Sequence, residues 1–167
     1  MKNGNIVLIG MPGCGKSTLG VVLAKLLCKD FVDVDLLIQR RVGMGLQAYI
    51  DRFGTEAFLR AEEQTLLDLD AENAVIATGG SAPLLERGAA RLRELGEVVW
   101  LDLPLPEIER RVTNLESRGI AMKKGETLAD VYAYRAPYYA AAADRRITLD
   151  GADIASGAMH LAELLKK

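Results

Sequence analysis

Apolar residues follow two alternating rhythms along the chain. Short apolar runs, such as Ile6-Val7-Leu8-Ile9, Ala74-Val75-Ile76-Ala77 and Val98-Val99-Trp100-Leu101, have no polar alternation. Runs of this kind predict strands buried on both faces. Between them lie longer segments in which apolar residues recur every three or four positions, as in Leu84, Leu85, Ala89, Leu92 and Leu95. These predict amphipathic helices. Strands are expected over 6–9, 31–35, 74–78, 97–103 and 146–149. Helices are expected over 17–27, 36–42, 49–71 (interrupted near Gly54), 83–95, 106–115, 127–143 and 154–165. Alternation of this sort predicts an α/β domain, a parallel sheet covered by helices on both faces. Residues 116–125, with two glycines, one arginine and two lysines, lack periodic apolar positions and are expected to be mobile. One domain over 1–167 is expected, with insertions after the second strand (about 35–71) and the fourth (about 113–126).

Composition narrows the function classes. The 167 residues are 50% hydrophobic and 26% charged, which is ordinary for a soluble globular domain. A net charge of −2 gives no electrostatic case for nucleic acid. No apolar run is long enough to span a bilayer, and no secretory leader is recognisable, so a cytoplasmic location is expected. Cys14 and Cys28 do not form a disulfide framework.

The first chemistry-bearing pattern is Gly10-Met11-Pro12-Gly13-Cys14-Gly15-Lys16-Ser17, between a strand and a helix. Glycines at this spacing let backbone N–H groups approach a polyphosphate, which also meets the positive end of the following helix. Lys16 supplies a cation for the β/γ oxygens, and the Ser17 hydroxyl can ligate Mg²⁺. Gly10, Gly13, Cys14, Gly15, Lys16, Ser17 and Thr18 are therefore candidate nucleotide-binding residues. A GTPase would carry an Asn-Lys-x-Asp base-reading loop, which is absent. A motor ATPase would need more chain for its coupling elements. A basic, glycine-bearing segment two-thirds along instead suits a kinase lid that excludes water from the reacting phosphate.

Further motifs make a resemblance specific. Phe31-Val32-Asp33-Val34-Asp35, Ala77-Thr78-Gly79-Gly80, Arg118 and Arg135-Ala136-Pro137-Tyr138-Tyr139 accompany the phosphate loop. Along its whole length the chain resembles the shikimate kinases, P-loop kinases of the nucleoside-monophosphate-kinase-like group. The resemblance implies a three-layer P-loop fold with strand order 2-3-1-4-5. It also implies ATP-dependent phosphorylation of one hydroxyl of shikimate, a small cyclic carboxylate, with Mg²⁺ as cofactor. A monomer is expected. By the same resemblance Asp33 holds the Mg²⁺ shell with Ser17, and Asp35 binds and activates the attacking hydroxyl. Their alternation along a strand would turn them to opposite sides. Arg118 would meet the transferring phosphoryl, helped by Lys123 and Lys124. Arg111 would stack on the adenine.

The acceptor side departs from the family pattern. Gly79-Gly80 is followed by Ser81 where the family has a third glycine, and Arg118 by Gly119 where it has proline. Arg135 fits one of two carboxylate-binding arginines. The other belongs to Phe-Arg-x-x-Glu, and two registers are possible: Phe58 and Glu62 match with Leu59 at the arginine, or Leu59-Arg60-x-x-Glu63 matches and Arg60 is retained. Arg60 is taken as the candidate. Alternatives are a same-fold kinase for a homoserine-like, gluconate-like or nucleoside acceptor, or a non-catalytic ATP-binding regulator. His160 is expected far from the site, and Trp100 in the core.

Overall fold

The computed structural model describes residues 2–112, 120–122, 125–149 and 153–166. Five strands, β1 (Ile6–Ile9), β2 (Asp30–Asp33), β3 (Ala74–Ala77), β4 (Glu97–Asp102) and β5 (Arg145–Thr148), form one parallel sheet in the order β2-β3-β1-β4-β5. Every residue of β1 and β3 is buried, as unbroken apolar runs demand when both faces of a sheet are covered. Among the described residues the cover is eight helices: α1 (Lys16–Leu27), α2 (Val34–Val42), α3 (Leu46–Phe53), α4 (Thr55–Asp68), α5 (Glu86–Leu95), α6 (Leu105–Arg111), α7 (Leu128–Ala142) and α8 (Ile154–Leu165). They pack in groups, α1 against α8, α2 and α3 against α4, and α5 against α4 and α7.

A buried asparagine locks the end of the sheet away from the phosphate loop. Asn5 Nδ2 donates to the carbonyls of Ala71 (2.5 Å) and Leu95 (2.9 Å), and its Oδ1 accepts from the Ala74 N–H (2.8 Å). One side chain thus ties the entry of β1 to the chain entering β3 and β4. Burying an amide this way is favourable only because its polar atoms are matched.

Several boundaries differ from the sequence expectation for local reasons. The second strand ends at Asp33, not Asp35, because the Asp33 carboxylate accepts the Asp35 N–H (3.0 Å) and caps α2. Asp35 therefore lies in the first turn of a helix, and alternation along a strand is not what separates the two acids. The stretch 49–71 is two helices, α3 and α4, divided at Gly54, whose φ of 84° favours glycine. The stretch 83–95 begins as a tight turn, Ala82–Leu84, before α5. The expected helix 106–115 is described as far as Arg111, and residues 113–119 lie outside the described residues. Among the described residues no helix is long and apolar enough to cross a membrane.

Candidate active site

The carboxyl ends of β1, β2 and β3 open onto one cleft of about 1070 Å³, the usual ligand position in a parallel sheet. The phosphate loop forms its floor. Gly13 (φ 80°) and Gly15 (φ 97°) adopt left-handed backbone conformations, and Gly15 caps the N-terminus of α1. Lys16, first residue of that helix, is largely buried. Its Nζ donates to the carbonyls of Gly10 (2.8 Å) and Met11 (2.9 Å), so its cation is held across the mouth of the loop. Gly13, Gly15, Lys16, Ser17 and Thr18 all line the cleft.

Two candidate residues of this loop do not line it. Gly10 turns at φ 143° where a Cβ would press on the Leu101 carbonyl at 2.5 Å, so its glycine serves packing against β4. Cys14 is fully buried beneath the loop, and its N–H is spent on the Met11 carbonyl (3.2 Å). Its role is to fill space, and its thiol lies within 3.7 Å of Lys16 Nζ.

From the glycine-rich loop the cleft continues along α6 and α8. Arg110 and Arg111 line the cleft, and both bond Glu107, with Arg111 Nε donating at 2.8 Å and Arg110 Nε at 2.9 Å. These two guanidinium groups hold the Glu107 carboxyl down at about 2. His160 also lines this end, together with Thr148, Leu149 and Ser156, contrary to the expectation that it lies far away. Nothing in its sequence neighbourhood signals this. The packing of α8 against α1 brings it there.

The other end of the cleft is built by α2, α4, the turn after β3, and α7. Asp35, Phe58, Gly79, Gly80, Ser81 and Arg135 line it. Burial raises the Asp35 carboxyl above its ordinary value, against the pull of Lys16 and with a further push from Asp33. Asp33 does not line the cleft itself. Arg135 is buried, and its Nη2 donates to the Ala121 carbonyl (2.5 Å). One helical turn on, the Tyr139 hydroxyl donates to the Gly80 carbonyl (2.6 Å). The Tyr139 ring rests on buried Trp100, with centroids 5.7 Å apart.

Arg60 is not in the cleft. Its side chain is 71% exposed and pairs with Glu56 at 3.7 Å on the solvent face of α4. The buried face of α4 carries Phe58, Glu62, Thr65 and Leu66. Since a one-residue slip rotates a side chain by about 100°, a helix that buries Phe58 and Glu62 must turn Arg60 away. Leu59 packs against the apolar core. Of the two registers open in the sequence, α4 adopts the one that matches Phe58 and Glu62, whose four-residue spacing puts both on the inward stripe, and not the one that retains Arg60. Arg118, Lys123 and Lys124 lie outside the described residues.

Comparison with known proteins gives this geometry a family. The family model described as Shikimate kinase matches residues 12–166. The chain belongs to the shikimate kinase family. A shikimate kinase of Moorella thermoacetica is 37% identical over 165 residues, covering 98% of this chain and 95% of that protein. One from Nitrosomonas europaea is 40% identical over 140 residues, 81% of this chain and 66% of that protein. A solved shikimate kinase from Acinetobacter baumannii in complex with shikimate superposes with a TM-score of 0.90 at 28% identity. That match covers 97% of this chain and 92% of the other. Against the family's Phe-Arg-x-x-Glu, the register that α4 adopts puts Leu59 at the arginine.

Proposed function

We propose that the protein transfers the γ-phosphoryl group of ATP to a hydroxyl of shikimate, giving shikimate 3-phosphate and ADP. The observation that carries this reading is one continuous cleft joining Lys16 and the phosphate loop to Asp35 and Arg135, in a chain of the shikimate kinase family. ATP would lie with its polyphosphate on Gly13, Gly15, Lys16, Ser17 and Thr18 and its base toward Arg111 and α8. The acceptor would sit between Asp35, the Gly79-Gly80 turn and Arg135, with α2 to α4 as the acceptor-binding insert. Arg135 offers a planar fork suited to a carboxylate.

Asp35 takes the proton of the attacking hydroxyl, a role suited to a carboxyl whose burial has made it a stronger base. The hydroxyl oxygen bonds to the γ-phosphorus as the bond to the β–γ bridging oxygen breaks. Lys16 and, from the family pattern, Arg118 balance the charge in flight. The oxygen donors fit Mg²⁺. Ser17 lines the cleft, and Asp33 Oδ1 serves as a cap. Among the described residues no cluster of three His, Cys, Asp or Glu side chains forms a cage, which suits an ion that retains water and substrate phosphates as ligands. When bound, Mg²⁺ neutralises charge on the β and γ oxygens. The enzyme is proposed to act as a cytoplasmic monomer.

Incubation with ATP, Mg²⁺ and shikimate, followed by ADP release and ³¹P NMR of the product, tests this reading. Shikimate 3-phosphate is the expected product. Turnover of homoserine, gluconate or a nucleoside with shikimate inert would overturn the acceptor assignment. Tight ATP binding with no transfer to any of them would favour a regulator.

A further inference from the structure

Beneath the acceptor end lies a pair of side chains that the transfer chemistry leaves unused. Glu62 is 1% exposed, and a carboxyl so buried ordinarily meets a cation. Its own helix supplies none, since Arg60 turns outward and Leu59 packs in the core. Instead the Ser81 hydroxyl donates to Glu62 Oε2 at 2.5 Å. The other oxygen, Oε1, has no hydrogen-bond partner among the described residues. That oxygen lies against Gly79. A Cβ there would overlap it and would stand 3.1 Å from Asp35 Oδ1, so two carboxyl groups flank one glycine of the cleft. At the next residue a Cβ on Gly80 would stand 2.9 Å from Arg135 Nη1.

The charged groups around Glu62 come from three directions: Asp35 on α2, Lys16 at the start of α1, and Arg135 on α7, where the Tyr139 phenol also faces it. The remaining helices packed on α4 present none inward. Asp51 and Arg52 of α3, Glu86 and Arg87 of α5, and Arg40 and Arg41 of α2 are exposed, and Arg91 is committed to Glu94 and the Leu69 carbonyl. Burial raises the Glu62 carboxyl to about 7, the Ser81 hydrogen bond pulling the other way. Its proton therefore leaves within the physiological range.

We propose that Glu62 and Ser81 form a specificity-determining pair that sets the affinity of this site for a carboxylate-bearing acceptor. With Glu62 neutral, the Asp35 carboxylate has no second negative charge beside it, and Arg135 is open to the acceptor's carboxylate. With Glu62 ionised, a second negative charge faces Arg135 and opposes that carboxylate. Ser81 tunes the balance by stabilising the ionised form. This inference rests on the acceptor proposed above.

The test is the pH dependence of shikimate KM, kcat and ATP KM between about pH 6 and about pH 9, where a free carboxylate stays ionised throughout. Shikimate KM is expected to rise roughly tenfold across this range, with ATP KM flat. Glu62→Gln should keep a low, pH-independent shikimate KM. Ser81→Ala should move the rise to higher pH, because the bond favouring the ionised form is gone. In the unaltered enzyme, the carboxamide analogue of shikimate should show no rise, a comparison that stands even if Glu62→Gln does not fold. A flat shikimate KM in an active enzyme, a rise that persists in Glu62→Gln, or the same rise with the carboxamide would overturn the pair's role alone. Shikimate inert at every pH would overturn the proposed function, and the pair's role with it.

Discussion

Removing one oxygen, in Tyr139→Phe, isolates the link between the aromatic core and the acceptor turn. Phenylalanine keeps the ring on Trp100 at a 5.7 Å centroid separation. It deletes only the hydroxyl that donates to the Gly80 carbonyl at 2.6 Å and lies 3.9 Å from Met11 Sδ. Burial holds that phenol far above its ordinary pKa, so it is a neutral donor throughout the working range. A neutral buried hydrogen bond, with its carbonyl left unmatched, is worth about 1–2 kcal/mol. For a domain of this size that lowers Tm by roughly 2–8 °C. Because Gly80 lines the acceptor end and is not part of the phosphate loop, shikimate KM should rise about threefold to tenfold, with ATP KM changed less than about twofold. Differential scanning fluorimetry and steady-state ADP release measure the two effects. An unchanged Tm with unchanged shikimate KM would refute the argument that this hydroxyl holds the turn. Equal rises in both KM values would show that it acts through the phosphate loop.

Lys16→Ala should lower kcat about 10²–10³-fold with any acceptor, the usual cost of losing a charge-stabilising donor, measured by ADP release. Arg135→Ala should raise shikimate KM about tenfold to a hundredfold, from one lost charged hydrogen-bonding partner, and spare ATP hydrolysis without acceptor. Arg60→Ala, by contrast, should change shikimate KM less than about twofold, because its exposed pair with Glu56 contributes little; a loss comparable to that of Arg135→Ala would place Arg60 in the cleft after all. Stability should also depend on pH through Glu62. Its folded-state pKa is raised from 4.5 to about 7, so the folded state holds the proton longer. Stability then falls as pH rises between these values and levels off above, by roughly 3 kcal/mol at most. The Tm of Glu62→Gln relative to the unaltered protein should therefore be higher at about pH 8 than at about pH 5; a constant difference would contradict the shift.

The parts of this molecule that were legible in the sequence are those where one local rule dominates. Unbroken apolar runs marked β1, β3 and β4, and the glycine spacing marked the phosphate loop, since these patterns depend on near neighbours only. The acid pair was harder. Val34 has strand character, but the Asp33 side chain offers its own backbone a cap two residues on, and the cap prevails. The register of α4 depended on which stripe of the helix faces inward, and an acidic residue on that stripe is easily taken for a surface one. Glu62 is inside because Ser81, nineteen residues away, gives it a partner, and no local pattern reports that. His160 likewise reaches the cleft only through the packing of α8 on α1.

The position of β1 at the centre of the sheet also bears on synthesis. Its neighbours, β3 and β4, start at Ala74 and Glu97, and the Asn5 amide closes loops of 66 to 90 residues. A nascent chain that has emerged only as far as α4 carries a complete glycine-rich motif with no sheet to mount it on. Contacts of such long sequence separation form late because loop closure must come first. The motif, synthesised before β3 and β4, is therefore expected to become a phosphate site only after β4 has emerged. Arrested chains ending before about residue 103 should fail to retain ATP.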